Sequence, residues 1–206
     1  MTTKRDETLL ASALRPSAPP AQGLFDPALE KDSCGVGFIA DLSNRKSHAI
    51  VEHGLTILQN LEHRGAVGAD PRAGDGAGIL VQIPHRFFQG EAERLGFALP
   101  APGHYAVGYL FMPRDPEGRR IIRETVERVI ESEGQVLLGW RDVPTDNAIL
   151  GESVKPTEPL HVQVFIGRGP GIADEDAFER RLYILRKVVS GAVHDAADPR
   201  TAGFYP

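Results

Sequence analysis

Pro84 and Pro113 each end an apolar run, and Asp115-Pro116 then opens one with a different period. Proline has no N–H to give to a sheet ladder and fixes its own φ, so each marks a boundary rather than the middle of an element. The run before Pro84, Ile79-Leu80-Val81-Gln82-Ile83, and the run from His104 to Met112 before Pro113 are expected as strands. Asp115 is a capping residue and Pro116 suits the first helical position. The helix they open buries Ile122, Val126 and Val129 and ends at Gly134. Strands are expected again near Gln135–Trp140 and Leu160–Ile166. A last helix starts at Asp174 or Asp176, with Phe178, Leu182, Leu185 and Val189 spaced by four, three and four. After Ser190-Gly191 that pattern decays towards Pro206. Strands on short connections with helices between them make an α+β protein.

The first third is punctuated by glycine instead. Residues 1–33 contain Arg15-Pro16-Ser17-Ala18-Pro19-Pro20-Ala21, which lacks periodicity, and are expected to form an extended or mobile leader. Gly35 to Ala40 reads as a buried strand, although its two glycines weaken it. Ser47 can cap a helix from His48 to about His63. Val51, Leu55 and Leu58 form its apolar row, with Ile50, Gly54, Ile57 and Leu61 beside them. Gly65 suits the left-handed position after it, and a glycine-rich loop runs from Gly68 to Gly78.

Composition excludes several classes. Hydrophobic residues make up 41% and charged residues 25%, enough for a core of ordinary size in one domain. The net charge is −5 and Lys and Arg are scattered, so no nucleic-acid footprint is present. No run of 18 apolar residues exists to span a membrane, and Leu9 to Leu14 is too short for a secretory core. Cys34 is the single cysteine, which excludes an intrachain disulfide and any zinc or iron–sulfur site built on several thiolates of this chain. A reducing, cytoplasmic location is expected.

Three short elements could carry chemistry. Cys34-Gly35-Val36-Gly37 puts a thiol where the leader meets ordered chain: either a nucleophile, and the first residue after processing at Ser33–Cys34, or a core thiol. Leu61-Glu62-His63-Arg64-Gly65 puts a guanidinium at a helix end, either solvated there or forked onto a carboxylate. Gly74-Asp75-Gly76-Ala77-Gly78 lacks the Walker lysine and precedes a strand rather than a helix, so a tight backbone turn suits it better than a phosphate cradle. His48 and His53 are five apart and share no helix face at metal-ligand spacing. A Cys–His dyad with His53, His63 or His85 stays open.

Taken together, Cys34-Gly35-Val36-Gly37-Phe38-Ile39, Glu62-His63-Arg64-Gly65-Ala66 and Gly74-Asp75-Gly76-Ala77-Gly78-Ile79-Leu80 closely resemble the start of the glutamate synthase large subunit. That region is a class II glutamine amidotransferase domain, one of the N-terminal-nucleophile hydrolases. The resemblance implies an α+β fold forming part of a four-layer αββα sandwich. It implies a leader or propeptide over 1–33 and the incomplete N-terminal part of the amidotransferase domain over 34–206, with apolar sheet faces left exposed. Cys34 becomes the N-terminal nucleophile on this resemblance, and Arg64 lines the glutamine site. Gly65, Asp75 and Gly76 are scaffolding. The implied partners are glutamine, the remainder of the large subunit and a reductase small subunit, with no nucleic acid and no membrane. No cofactor is implied for this segment; FMN and an iron–sulfur cluster belong to the full-length protein. One departure stands out. The family's oxyanion hole is an Asn-Gly pair, but Asn44, Asn60 and Asn147 are followed by Arg45, Leu61 and Ala148. Little or no glutaminase activity is therefore expected of these 206 residues alone.

Overall fold

The computed structural model describes Gly23 and residues 35–61, 70, 72, 73 and 76–206. The elements in chain order are α1 (His48–Asn60), α2 (His85–Leu95), β1 (Tyr105–Met112), α3 (Pro116–Ser132), β2 (Val136–Asp142), β3 (Leu160–Gly167) and α4 (Glu175–Asp195). The strands form one antiparallel sheet in the order β1-β3-β2, so the strand that comes last in sequence lies in the middle. Helix and antiparallel sheet together make the α+β architecture expected of part of an N-terminal-nucleophile hydrolase.

Side-chain alternation along a strand assigns the two faces. Leu110, Met112, Val162, Val164 and Ile166 point one way, against Ile122, Val126, Val129 and Ile130 of α3 and Leu185, Val189 and Val193 of α4. Tyr105 and Phe165 point the other way and meet Phe88 of α2, with Phe97, Leu99, Val107 and Leu138 packed around them. Each buried aliphatic or aromatic side chain in these clusters contributes on the order of 1.5–3 kcal/mol through removal from water.

Helix boundaries follow capping chemistry. The Asp115 carboxylate accepts a hydrogen bond from Gly118 N at 2.7 Å, with Pro116 in the first turn of α3. Asp174, the first of the two expected starts, does the same for Ala177 N at 2.7 Å in α4. Gly134 stops α3 at φ 69, where Gly134 N and Gln135 N reach back to the carbonyls of Glu131 and Ile130.

Four sequence expectations need correction. Gly35–Ala40 is not a buried strand: it has no ladder partner among the described residues, and Val36 and Phe38 are 86% and 92% exposed. Ile79–Ile83 is likewise unpaired and exposed. An apolar run becomes a strand only by pairing, and the sheet's own edges do not reach either segment. Helix α1 starts after Ser47 as expected but ends at Asn60, and Ser47 makes no side-chain capping bond. Finally, α4 continues through Ser190-Gly191 to Asp195, because Val193 repeats the spacing of Val189 and is buried. The tail beyond it is also ordered: Asp198 caps a turn at Pro199–Thr201, and Tyr205 exchanges backbone hydrogen bonds with Phe111 at 2.8 and 3.1 Å.

Helix α2 had no counterpart in the sequence reading. Its apolar stripe is only Phe88 and Ala92, and Gly90 interrupts the pattern. Glu91 of α2 accepts from Arg94 at 3.0 and 3.2 Å and from the buried Arg141 Nε of β2 at 2.6 Å. The hydrogen bonds from Arg94 and then from Arg141 hold the Glu91 carboxyl at about 2, below the ordinary 4.5. A carboxyl lowered on folding stabilises the fold above its ordinary pKa, and that stability is lost as pH falls towards the folded value. Glu91→Gln is therefore expected to lower the melting temperature at pH 7, with the difference from wild type closing near pH 2; melts at both pH values check this.

Among the described residues, no helix is long and apolar enough to cross a membrane.

Candidate functional site

Cys34 and Arg64 lie outside the described residues, as do His63, Gly65 and Asp75. Gly35, next to Cys34, and Leu61 at the end of α1 are described, and these come together. Gly35, which follows Cys34, lies over Leu61, three residues before Arg64. A Cβ added to Gly35 would stand 3.1 Å from Leu61 Cδ2. Gly37 is closer still to α1: a Cβ there would overlap Ile57 Cγ2. The glycines of the Cys-Gly-Val-Gly stretch thus let backbone lie directly on the last turns of α1. The exposed Val36 and Phe38 side chains alternate with them and turn away. That packing against a helix, rather than a strand ladder, is why glycine recurs in this segment.

A second joint lies at Asp70, six residues after Arg64 in sequence. Asp70 Oδ2 accepts from Ser153 Oγ at 2.7 Å and from Ser153 N at 3.4 Å, while Asp70 Oδ1 accepts from Arg72 N at 3.0 Å. The Ser153 hydroxyl, followed by the Arg72 amide, holds the Asp70 carboxyl below its ordinary value. Gly151 is buried directly beneath this carboxylate, and a Cβ on it would overlap Asp70 Oδ2. Neither Gly151 nor Ser153 was singled out by sequence analysis. They stand 81 and 83 positions away in a connection without periodicity, so no local signal joins them.

Three of the described histidines have these settings. His85 Nδ1 and the Tyr105 hydroxyl are 3.0 Å apart, and His161 Nδ1 is 2.9 Å from the Tyr109 hydroxyl. His53 is exposed on α1. Gly76, at φ 92, turns into the extended, unpaired stretch that ends at Pro84, so no helix N-terminus follows the glycine-rich loop.

Two hollows open elsewhere. One, of about 460 Å³, lies on the β2–β3 connection between Thr145 and His161; the other, of about 430 Å³, runs between β1 and α4 and is mainly apolar. Neither is lined by the described residues of 35–61 or 70–83.

Comparison with known proteins agrees with the motifs. The family described as glutamine amidotransferases class-II matches residues 34–205, a match that begins on Cys34. The glutamate synthase [NADPH] large chain of Bacillus subtilis is 44% identical over 82% of this chain and 11% of its own length. The glutamate synthase [NADH] of Schizosaccharomyces pombe is 43% identical over 82% of this chain and 8% of its own length. The ferredoxin-dependent glutamate synthase 2, chloroplastic, of Arabidopsis thaliana is 42% identical over 82% of this chain and 10% of its own. The chain therefore spans about a tenth of the length of the curated relatives it matches. With the family match covering residues 34–205, this chain belongs to the class-II glutamine amidotransferases.

Proposed function

We propose that this chain is the glutamine-binding and amide-cleaving segment of a glutamate synthase, with Cys34 as its nucleophile. The observation that carries the reading is the class-II amidotransferase match beginning on Cys34, together with Gly35 resting on the helix that leads to Arg64. The Cys34 sulfur attacks the side-chain amide carbon of glutamine. The C–N bond breaks, ammonia departs with the thiol proton, and water then releases glutamate and restores the thiol. An α-amino group has a pKa of ~7.7–8.0 and a thiol ~8.5, so the amine of an N-terminal cysteine is a matched base for its own side chain. While Ser33 is attached, that nitrogen is an amide without basicity. Residues 1–33 act as a leader removed at Ser33–Cys34, and Arg64 holds the substrate carboxylate by its forked guanidinium.

In this reading the ammonia is passed to a second site in a longer protein, where 2-oxoglutarate becomes glutamate with electrons from a reductase subunit. FMN and an iron–sulfur cluster belong to that part. The residues here do not fit either group: Cys34 is the single cysteine against the three or four thiolates a cluster needs, and the Gly76–Gly78 turn opens no helix onto a phosphate. A cytoplasmic location goes with this role.

Intact mass and N-terminal sequencing of the protein from its own cells test the processing, with a start at Cys34 expected and a start at Met1 or Thr2 against it. Alkylation tests the nucleophile. A chain starting at Cys34 is expected to react with iodoacetamide roughly 10²-fold faster than one retaining Ser33, the low end of what a positioned base contributes. Equal rates would mean an ordinary buried thiol.

A further inference from the structure

We propose that the hollow between β1 and α4 seats a further strand of the sheet, antiparallel to β1 and running on from Tyr205-Pro206. The inference rests on the reading above that this chain is a segment of a longer protein, which supplies the strand. Small residues open the hollow. On the face of β1 that meets α4, Leu110 and Met112 are buried in the core, whereas Ala106 and Gly108 leave room beside Leu182, Tyr183 and Arg186 of α4. The space is about 430 Å³ and mainly apolar.

The backbone says what covers it. Successive residues of an antiparallel strand aim N–H and C=O at opposite edges. Phe111 exchanges both bonds with Tyr205 on the edge away from β3, at 2.8 and 3.1 Å. By the same alternation Val107 and Tyr109 aim their backbone groups there, and among the described residues these have no backbone partner. Unpaired donors and acceptors along an apolar hollow fit an extended strand with apolar side chains on one face. Tyr205 sets its direction and register. With Tyr205 opposite Phe111, the first residue after Pro206 falls opposite Tyr109 and the third opposite Val107. Side chains alternate accordingly: Phe204 packs on the core, the Tyr205 ring lies 6.3 Å from Phe111 on the other face, and Pro206 lines the hollow. The second and fourth residues after Pro206 therefore point into it. Arg186 holds this course from α4. Its Nε donates to the Pro206 carbonyl at 3.1 Å, and its terminal nitrogen donates to the Tyr205 hydroxyl at 3.1 Å.

Single-residue amide hydrogen exchange tests this on the 206-residue chain and on the longer protein purified from its own cells. The Ala106 and Gly108 amides face β3 and serve as the internal control, protected in both. The Val107 and Tyr109 amides are expected to exchange freely in the 206-residue chain and roughly 10²-fold or more slower in the longer protein. In the longer protein, proline at the first and third residues after Pro206 removes the donors that face Tyr109 and Val107. Both amides are then expected to return to fast exchange with Ala106 and Gly108 unchanged. That comparison lies within the longer protein and stands whether or not the shorter chain protects its control amides. Fast exchange at Val107 and Tyr109 in the longer protein, with the control protected, overturns the strand. Protection that survives the prolines puts another segment on this edge and overturns its assignment to the residues after Pro206. Protection in the 206-residue chain that rises with its concentration makes a second copy the occupant and overturns it as well. A polypeptide that ends at Pro206 in its own cells overturns the longer-protein reading and the proposal with it.

Discussion

A chain running from Cys34 to Pro206 is expected to hydrolyse glutamine at least ~10²-fold more slowly than an intact class-II amidotransferase, even with its cysteine unmasked. Loss of a single oxyanion donor typically costs ~10²–10³ in turnover, and the resemblance implies that the family uses a whole Asn-Gly element for this. None of the three asparagines here is followed by glycine. Two of them also have other structural settings: Asn60 closes α1, and Asn147 donates its side-chain amide to Glu158 at 3.1 Å. Alkylation of the thiol passes through no tetrahedral oxyanion, so fast labelling and slow turnover are expected in the same molecule. Ammonia release, measured beside the alkylation rate, checks both. Turnover near that of intact family members would show that donors within residues 34–206 suffice.

Phe165→Ala is expected to cost about 3–5 kcal/mol, which in a chain of this size lowers the melting temperature by about 6–20 °C. Phe165 is fully buried on the central strand. Phe88 of α2 meets it edge-on at 5.2 Å between centroids, and Phe97 lies at 5.2 Å on a tilt. Its removal opens a hollow between helix and sheet that these two rings cannot both fill. Phe38→Ala is the control: at 92% exposure it should change stability by no more than about 0.5 kcal/mol. A large loss from Phe38→Ala would place residues 35–42 in a buried environment in solution. Paired thermal melts decide both.

The body of the protein was legible in the sequence because its signals are local. Asp115-Pro116, Asp174 and Gly134 carry their own capping chemistry, and the alternation in Tyr105–Met112 and Leu160–Gly167 answers to two covered faces. Helix α2 escaped because Gly90 and a two-residue stripe left its period weak, although Gly96 at φ 84 supplied a stop signal. Gly35–Ala40 and Ile79–Ile83 misled for the opposite reason. Composition qualifies them as strands, but pairing partners are a property of the fold and not of the segment. The site divided in the same way. Cys34 and Arg64 stand out as reactive residue types in ordered motifs, whereas Asp70, Gly151 and Ser153 acquire meaning only through a contact across 83 positions.

The strand order β1-β3-β2 carries a consequence for synthesis. Neither outer strand can pair within this sheet until the central one has left the ribosome. Tyr-Ala-Val-Gly-Tyr-Leu-Phe-Met of β1 contains no charge and no proline, the composition that most readily pairs with the wrong strand. It must wait through translation from Met112 to Leu160, several seconds at about 5–20 residues per second, before its partner exists. The nascent chain is therefore most vulnerable in that interval, and a chaperone that covers β1 while β3 is still being made would raise the yield of folded protein.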